Sequence, residues 1–281
     1  MNKELFVINA RGEKELFSSK KLSNSLIRVG ASKERAKKIA QQIKKEVEPG
    51  VSTFKIFNKA KELLAETNKK SSLRFTLKES LNRLGPTGFP FEKFVRAILK
   101  ENGFKVRKRR YLIGSCLPNY EIDFLAVKEG VTYIGECKYR NHPGSRVHSN
   151  TALANKARFE DIMNGPHFDR KRDKVKPMLV TNTKLTSSAT KYADCVGMDY
   201  IGWRQPKDKG IETLIENRNL YPLTILGSLK KSLRNLFISE RRMLVRDIAK
   251  IEKKQFLKEH PKVKKYILES VLDEARLLTF E

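Results

Sequence analysis

Apolar and polar residues alternate from Leu5 to Phe17 around Arg11-Gly12, a period of two interrupted by a glycine, which predicts a short hairpin. The period then becomes helical. Ser32 stands ahead of a helix running to about Val47, and Ser52 or Thr53 ahead of another, with Phe54, Phe57, Leu63 and Leu64 on its apolar face. A further helix is expected over Arg74 to Leu84. The segment Gly85 to Pro90, GPTGFP, stops that helix and starts the next, in which Phe91, Phe94, Val95, Ile98 and Leu99 recur at helical spacing until Gly103 closes it. Strands are expected over Lys105 to Ile113, Tyr120 to Lys128 and Val131 to Tyr139, the last two joined by a tight Glu129-Gly130 turn. A polar loop with Pro143-Gly144 leads to a helix from about Ala152 to Met163. Then come a buried strand at Pro177 to Asn182, a helix at Ser187 to Val196 and a strand at Asp199 to Trp203. After Trp203 the strands stop, and Leu223 to Phe237, Glu240 to Glu259 and Val263 to Leu278 carry helical periods.

This order predicts an α/β layer with a mixed central sheet flanked by helices. It is preceded by a hairpin-plus-helices unit and followed by a helical region, with boundaries at 1–85, 86–204 and 205–281. A chain of 281 residues is long enough for such units to bury apolar cores, and no repeat of solenoid period interrupts the pattern.

Charge narrows the partners. There are 59 Lys and Arg against 32 Asp and Glu, a formal net charge of +27, and a polyanion is the natural complement. No long apolar span and no basic helix with a wide apolar face points to a membrane, so nucleic acid is expected. The opening MNKELFVINARG lacks the apolar stretch and cleavage site of a secretory signal, which gives an expectation of a cytoplasmic protein. Cys116, Cys137 and Cys195 have no C-x-x-C spacing, and His142, His148, His167 and His260 have no paired ligand spacing. Reduced thiols and surface imidazoles are the expectation.

The stretch NYEIDFLAVKEGVTYIGECKYR, Asn119 to Arg140, places charges inside two strand-like runs. Glu136 and Lys138 share one face of their strand, and the hairpin brings Asp123 close to both. Two carboxylates and an ammonium on one patch of sheet suit Mg²⁺ and a phosphate. The carboxylates hold the ion, the ion acidifies a water, and the lysine orients the nucleophile and offsets developing charge. The same residues also read as a salt-bridged surface hairpin with no chemistry.

The block FEKFVRAILKENGF, the Gly114 and Asp123 of IGSCLPNYEIDF, and the ECK of GECKYR resemble the PD-(D/E)-x-K nuclease superfamily, in its Mrr-like restriction endonuclease branch. The resemblance covers about Gly85 to Trp203 and implies a restriction-endonuclease-like fold. It also implies metal ligation by Asp123 and Glu136, a catalytic Lys138, and an accessory acid at Glu92. An acid at that position is equally explained by the dipole of the helix it opens. The proline of the family's motif is absent ahead of Ile122-Asp123. Glu121, two residues before Asp123 on the same face, reads as a second ligand or as a solvated edge charge, and Asn155 and Lys156 stand where relatives carry a Gln or Lys.

Val7 to Gly12, the Phe17 to Lys21 segment and LRFTLKESLNRLGPTG resemble the ATP-cone domain, which binds ATP or dATP and regulates its neighbour. Asn9-Ala10 replaces that family's Lys-Arg pair, leaving Arg11 and Lys21 as the candidate nucleotide contacts. In the helical tail Lys230, Lys231, Arg234, Arg241, Arg242 and Arg246 are candidates for phosphate contact. The implied function is a Mg²⁺-dependent endodeoxyribonuclease of restriction type acting on DNA, regulated by ATP or dATP. Double-strand cleavage then needs a homodimer or two sequential nicks. The alternatives are a nucleotide-responsive DNA-binding protein without cleavage and a structure-selective repair or junction nuclease.

Overall fold

The computed structural model describes residues 5–85, 87–107 and 111–279. Residue 86 of the expected boundary segment, and residues 108–110 of the strand expected over Lys105 to Ile113, lie outside them. Strands β1 (Phe6–Ile8) and β2 (Lys14–Leu16) form the N-terminal hairpin, with Phe6 opposite Leu16 and Gly12 at φ +80° in its turn. Helices α1 (Ser19–Arg28) and α2 (Lys33–Glu46) follow. Strand β3 (Val51–Ser52) then pairs parallel to β1 and runs into α3 (Thr53–Ala65). Ser18, Ser32 and Ser52 each accept the backbone N–H three residues on, which fixes where these helices begin. Val7, Leu26, Ile39, Ile43, Ala60 and Leu64 make the core of this unit.

The single helix expected over Arg74 to Leu84 is two. Helix α4 (Lys69–Phe75) ends where the Thr76 hydroxyl donates to the Leu73 carbonyl at 2.7 Å, and α5 (Leu77–Asn82) begins on the next residue.

Helix α6 (Phe89–Glu101) carries Pro90 in its first turn, and its Phe91, Phe94, Val95, Ile98 and Leu99 are fully buried. At about 1.5–3 kcal/mol for each large apolar side chain removed from water, this face anchors the helix to the sheet. Strand β4 (Lys105–Arg107) joins the main sheet, whereas β5 (Tyr111–Leu112) pairs with β6 (Tyr120–Glu121) in a separate ribbon. Two expected strands are therefore divided, the first between sheets and the second at Ile122-Asp123. The cause is a contact distant in sequence: the loop after β5 is fastened by an aspartate of the next helix, and Leu112 and Ile122 pack on that helix instead of extending the sheet.

Strands β7 (Phe124–Lys128) and β8 (Val131–Lys138) are antiparallel through a turn with φ +51° at Glu129 and φ +77° at Gly130. After β9 (Arg146–Val147) come α7 (Ser149–Met163), β10 (Val175–Thr181), β11 (Lys184–Leu185), α8 (Ser187–Cys195) and β12 (Asp199–Ile201). The central sheet has the order β12-β10-β8-β7-β4, parallel across β8, β10 and β12 and antiparallel across β8, β7 and β4. Helix α6 packs on one face, against Phe124, Ala126, Met178 and Val180. Helix α7 covers the other through Phe159, Ile162 and Met163 on Leu125 and Ile134. The architecture is mixed α/β.

Helical periods were expected over three segments after Trp203; Val263 to Leu278 is one helix as expected, and shorter segments stand in the rest. In chain order the elements are α9 (Ile211–Glu216), a 3-10 turn at Leu223–Ile225, α10 (Lys231–Ser239), α11 (Val245–Ala249), α12 (Lys253–Glu259) and the longer α13 (Lys265–Thr279). They have no separate core. One cluster runs from Leu77 and Leu84 through Phe91, Phe94 and Trp203 to Phe237, Val271 and Leu278, across the sequence-based boundaries at 85 and 205. Thr224 donates to the Ser80 carbonyl at 2.6 Å across the same junction. No helix among the described residues is long and apolar enough to cross a membrane.

Candidate functional site

Asp123 stands one residue before β7, where β7 and β8 part. Phe124 faces Gly135 in the antiparallel register, so the next pair outward is Asp123 with Glu136. Beyond this point Cys137 has no ladder partner on β7, and the Asp123 carboxylate supplies one, accepting the Cys137 N–H at 2.6 Å through Oδ2. Arg96 of α6 holds the same residue from behind, donating through Nη1 to the Asp123 carbonyl at 2.7 Å.

Glu136 is buried, and Lys138 lies two residues on along the same face, its Nζ 2.6 Å from Glu136 Oε1. The register sets Asp123 opposite Glu136, and Lys138 is ion-paired with Glu136. Burial, with the charges of Glu136 and Glu92 adding to it, pushes the Asp123 carboxyl up to about 6 against the opposing pull of the Cys137 N–H and Lys138. The Cys137 thiol is pushed far above its ordinary range by burial and by the same three carboxylates, so it is inert as a nucleophile. All three cysteines are free.

Glu92 lies in the first turn of α6, 3.7 Å from Arg96 Nη1, and acts on Asp123 through its charge. Among the described residues no group of three or more His, Cys, Asp or Glu is arranged to hold a metal ion. Glu121 is exposed, and Lys156 pairs with Glu160 at 2.5 Å, which leaves neither at the centre.

Arg158 was not anticipated from the sequence. It comes from α7 and places Nη1 2.5 Å from Glu136 Oε2. The signal was present: Thr151, Asn155, Arg158 and Ile162 follow one another at spacings of four, three and four along a single stripe of α7. Polar residues thus continue a line that ends in the buried Ile162. Asn155 is buried within that line, and a cavity of about 240 Å³ opens between it, Glu136, Lys138 and Arg158.

The two candidate nucleotide contacts separate. Lys21 lines a cavity of about 370 Å³ between the N-terminal unit and Trp203, together with Phe57, Arg74, Lys78 and Arg204. Arg11 is not part of that lining; it pairs with Glu13 at 2.7 Å and packs beside Gly144. The reason is the hairpin turn, whose Asn9 side chain accepts the Arg11 and Glu13 N–H groups and turns the residue toward the loop after β8. In the helical tail Arg246 pairs with Glu101 at 2.6 Å and Arg242 with Glu240 at 2.8 Å, while Lys230, Lys231 and Arg241 are exposed.

No family model matches the chain. Over 131 residues it is 38% identical to an uncharacterized protein of Archaeoglobus fulgidus, a match covering 46% of this chain and 69% of that protein. The two belong to one family. A crystal structure of a protein of unknown function, AF1548, shares the fold with a TM-score of 0.57 at 28% identity, over 69% of this chain and the whole of that one. Neither relative has an assigned activity, so the chemistry of this family rests on the side chains themselves.

Proposed function

We propose that this chain is a Mg²⁺-dependent endodeoxyribonuclease with a restriction-endonuclease-like, Mrr-like core. The observation that carries the reading is the register of β7 and β8, which sets Asp123 opposite Glu136 with Lys138 bonded to Glu136 on the same face. Mg²⁺ is commonly held by one or two carboxylates, with water and phosphate oxygens completing its shell, so Asp123 and Glu136 suffice without a third protein acid. Crowding of Glu136 and Glu92 around the half-buried Asp123 is the electrostatic state that a hard cation relieves. Asp123 and Glu136 would hold such an ion, which would supply polarisation of the scissile phosphate and an acidified water. The Cys137 N–H and Arg96 keep Asp123 in place, and Lys138 would offset charge on the phosphate oxygens. The net charge of +27 favours a polyanionic substrate. The test is plasmid cleavage with Mg²⁺ by the native chain and by Lys138→Ala. At least a hundredfold loss is expected from the substitution, and equal cutting by both removes the mechanism.

A second reading concerns regulation. The 370 Å³ cavity combines Lys21, Arg74, Lys78 and Arg204 with Glu15, Glu212 and Glu216 and with the rings of Phe57 and Trp203; Arg204 is paired with Glu212, and one positive charge in excess is left beside the rings for a phosphate and a base. ATP or dATP is the effector that this composition and the ATP-cone resemblance favour. Trp203 is the single tryptophan of the chain, so its fluorescence should respond to ATP in a saturable way, and Lys21→Ala should weaken that response. A flat titration excludes the effector.

A further inference from the structure

Both oxygens of Glu136 are occupied by cations, Oε1 by Lys138 at 2.6 Å and Oε2 by Arg158 at 2.5 Å. A carboxylate only 8% exposed and flanked in this way is well compensated, and a divalent ion drawn to either oxygen competes with the cation already there. Lys138 sits on the same strand two residues away. Arg158 reaches across from α7 on a long side chain that borders the adjoining cavity, while Lys138 is kept for the phosphate in the reading above, so Arg158 is the partner whose release leaves that reading intact. Beside it lies the cavity of about 240 Å³, whose charged lining is Glu136, Lys138 and Arg158, one positive charge in excess. The cavity reaches Asn150 and Thr151 in the first turn of the 15-residue α7, where the helix dipole adds to the positive field.

We propose that Arg158 is the resident counter-ion of Glu136, that a divalent cation displaces it, and that the released guanidinium turns into the adjoining cavity to hold a phosphate of the DNA strand. The planar fork of an arginine suits both partners, carboxylate before and phosphate after. Grip on DNA at this point is thereby coupled to metal loading: without metal the guanidinium is tied to Glu136, and with metal it is available. The inference rests on the metal-dependent reading above and gives that reading an order of events.

The experiment compares the native chain with Arg158→Gln and Arg158→Lys. Mn²⁺ binding is titrated without DNA by electron paramagnetic resonance of the free ion. Binding of a short DNA duplex is followed by fluorescence anisotropy in EDTA and in Ca²⁺. Removing the competitor should tighten Mn²⁺ binding about tenfold in Arg158→Gln. The same variant should match the native chain on DNA in EDTA and fall about fivefold or more behind it in Ca²⁺, with a salt slope smaller by about one. Arg158→Lys, which keeps the charge and guards against a folding defect, should lie between. Equal Mn²⁺ affinities, or a DNA defect of the same size in EDTA and Ca²⁺, would overturn the assignment. If these shifts appear while the native chain leaves plasmid DNA intact, the displacement of Arg158 stands and cleavage falls. If none of the three forms binds Mn²⁺, both fall together.

Discussion

Asp123 holds its proton more tightly in the folded chain than in the unfolded one, because burial and the neighbouring Glu136 and Glu92 raise its carboxyl to about 6 from 3.8. The sign follows: a raised carboxylate pKa means the metal-free fold is most stable when Asp123 is neutral, and loses stability as pH climbs through about 6. An asparagine at this position still accepts the Cys137 N–H and carries no charge. Asp123→Asn should therefore raise the melting temperature in EDTA at pH 8, by a stabilisation of about 1–2 kcal/mol after solvent screening. At about pH 3, below the unfolded value of 3.8, it should leave the melting temperature nearly unchanged. Thermal denaturation at the two pH values reads this directly. A loss of stability at pH 8 would mean that the Asp123 charge is welcome in the fold, and with it would go the view of a site strained toward a cation.

Helices and turns with local signals were readable from the chain, and the exceptions have long-range causes. Ser32 and Ser52 cap α2 and α3 as their spacing to the apolar run announces, and Glu129-Gly130 makes the turn that aligns Asp123 with Glu136. By contrast, the division of the strand expected over Lys105 to Ile113 depends on Asp161, 46 residues beyond Ser115. Its carboxylate accepts the Ser115 hydroxyl at 2.6 Å and the Cys116 and Leu117 N–H groups at 2.8 and 3.2 Å. No window of local sequence contains that contact, and the same holds for Arg158 on Glu136, 22 residues apart. The ribbon of β5 and β6, which leads into Asp123, packs on α7 through Leu112 and Ile122, and its loop is fastened by the Asp161 carboxyl, which these donors hold well below its usual range. Asp161→Ala should loosen the loop while sparing the sheet. In amide hydrogen exchange Cys116 and Leu117 should speed up by about tenfold or more, and Leu125 and Ile134 should not change. Uniform acceleration across both groups would show that Asp161 supports the whole fold and not this one connection.

At the scale of the molecule, the helices after Trp203 are part of the core that carries the central sheet, which composition could not reveal because their basic faces dominate the sequence. Phe237 of α10 is fully buried and its ring lies 5.7 Å from that of Phe256, while Phe94, Met178 and Trp203 belong to the same cluster. Arg246 of α11 pairs with Glu101 at the end of α6, so polar contacts cross the junction as well. A cluster this continuous should unfold as one unit. Phe237→Ala removes a ring from it and should cost about 3–5 kcal/mol. Two signals are available on the same sample: Trp203 fluorescence, reporting at the end of the sheet, and far-ultraviolet circular dichroism, dominated by helix. Both midpoints in urea should fall together in the variant. A helical signal that melts early while Trp203 keeps its native midpoint would make the C-terminal helices an independent module. The exposed Lys230, Lys231 and Arg241 would then no longer be held rigidly with respect to Asp123, Glu136 and Lys138, and their use as phosphate contacts along one DNA path would lose its geometric basis.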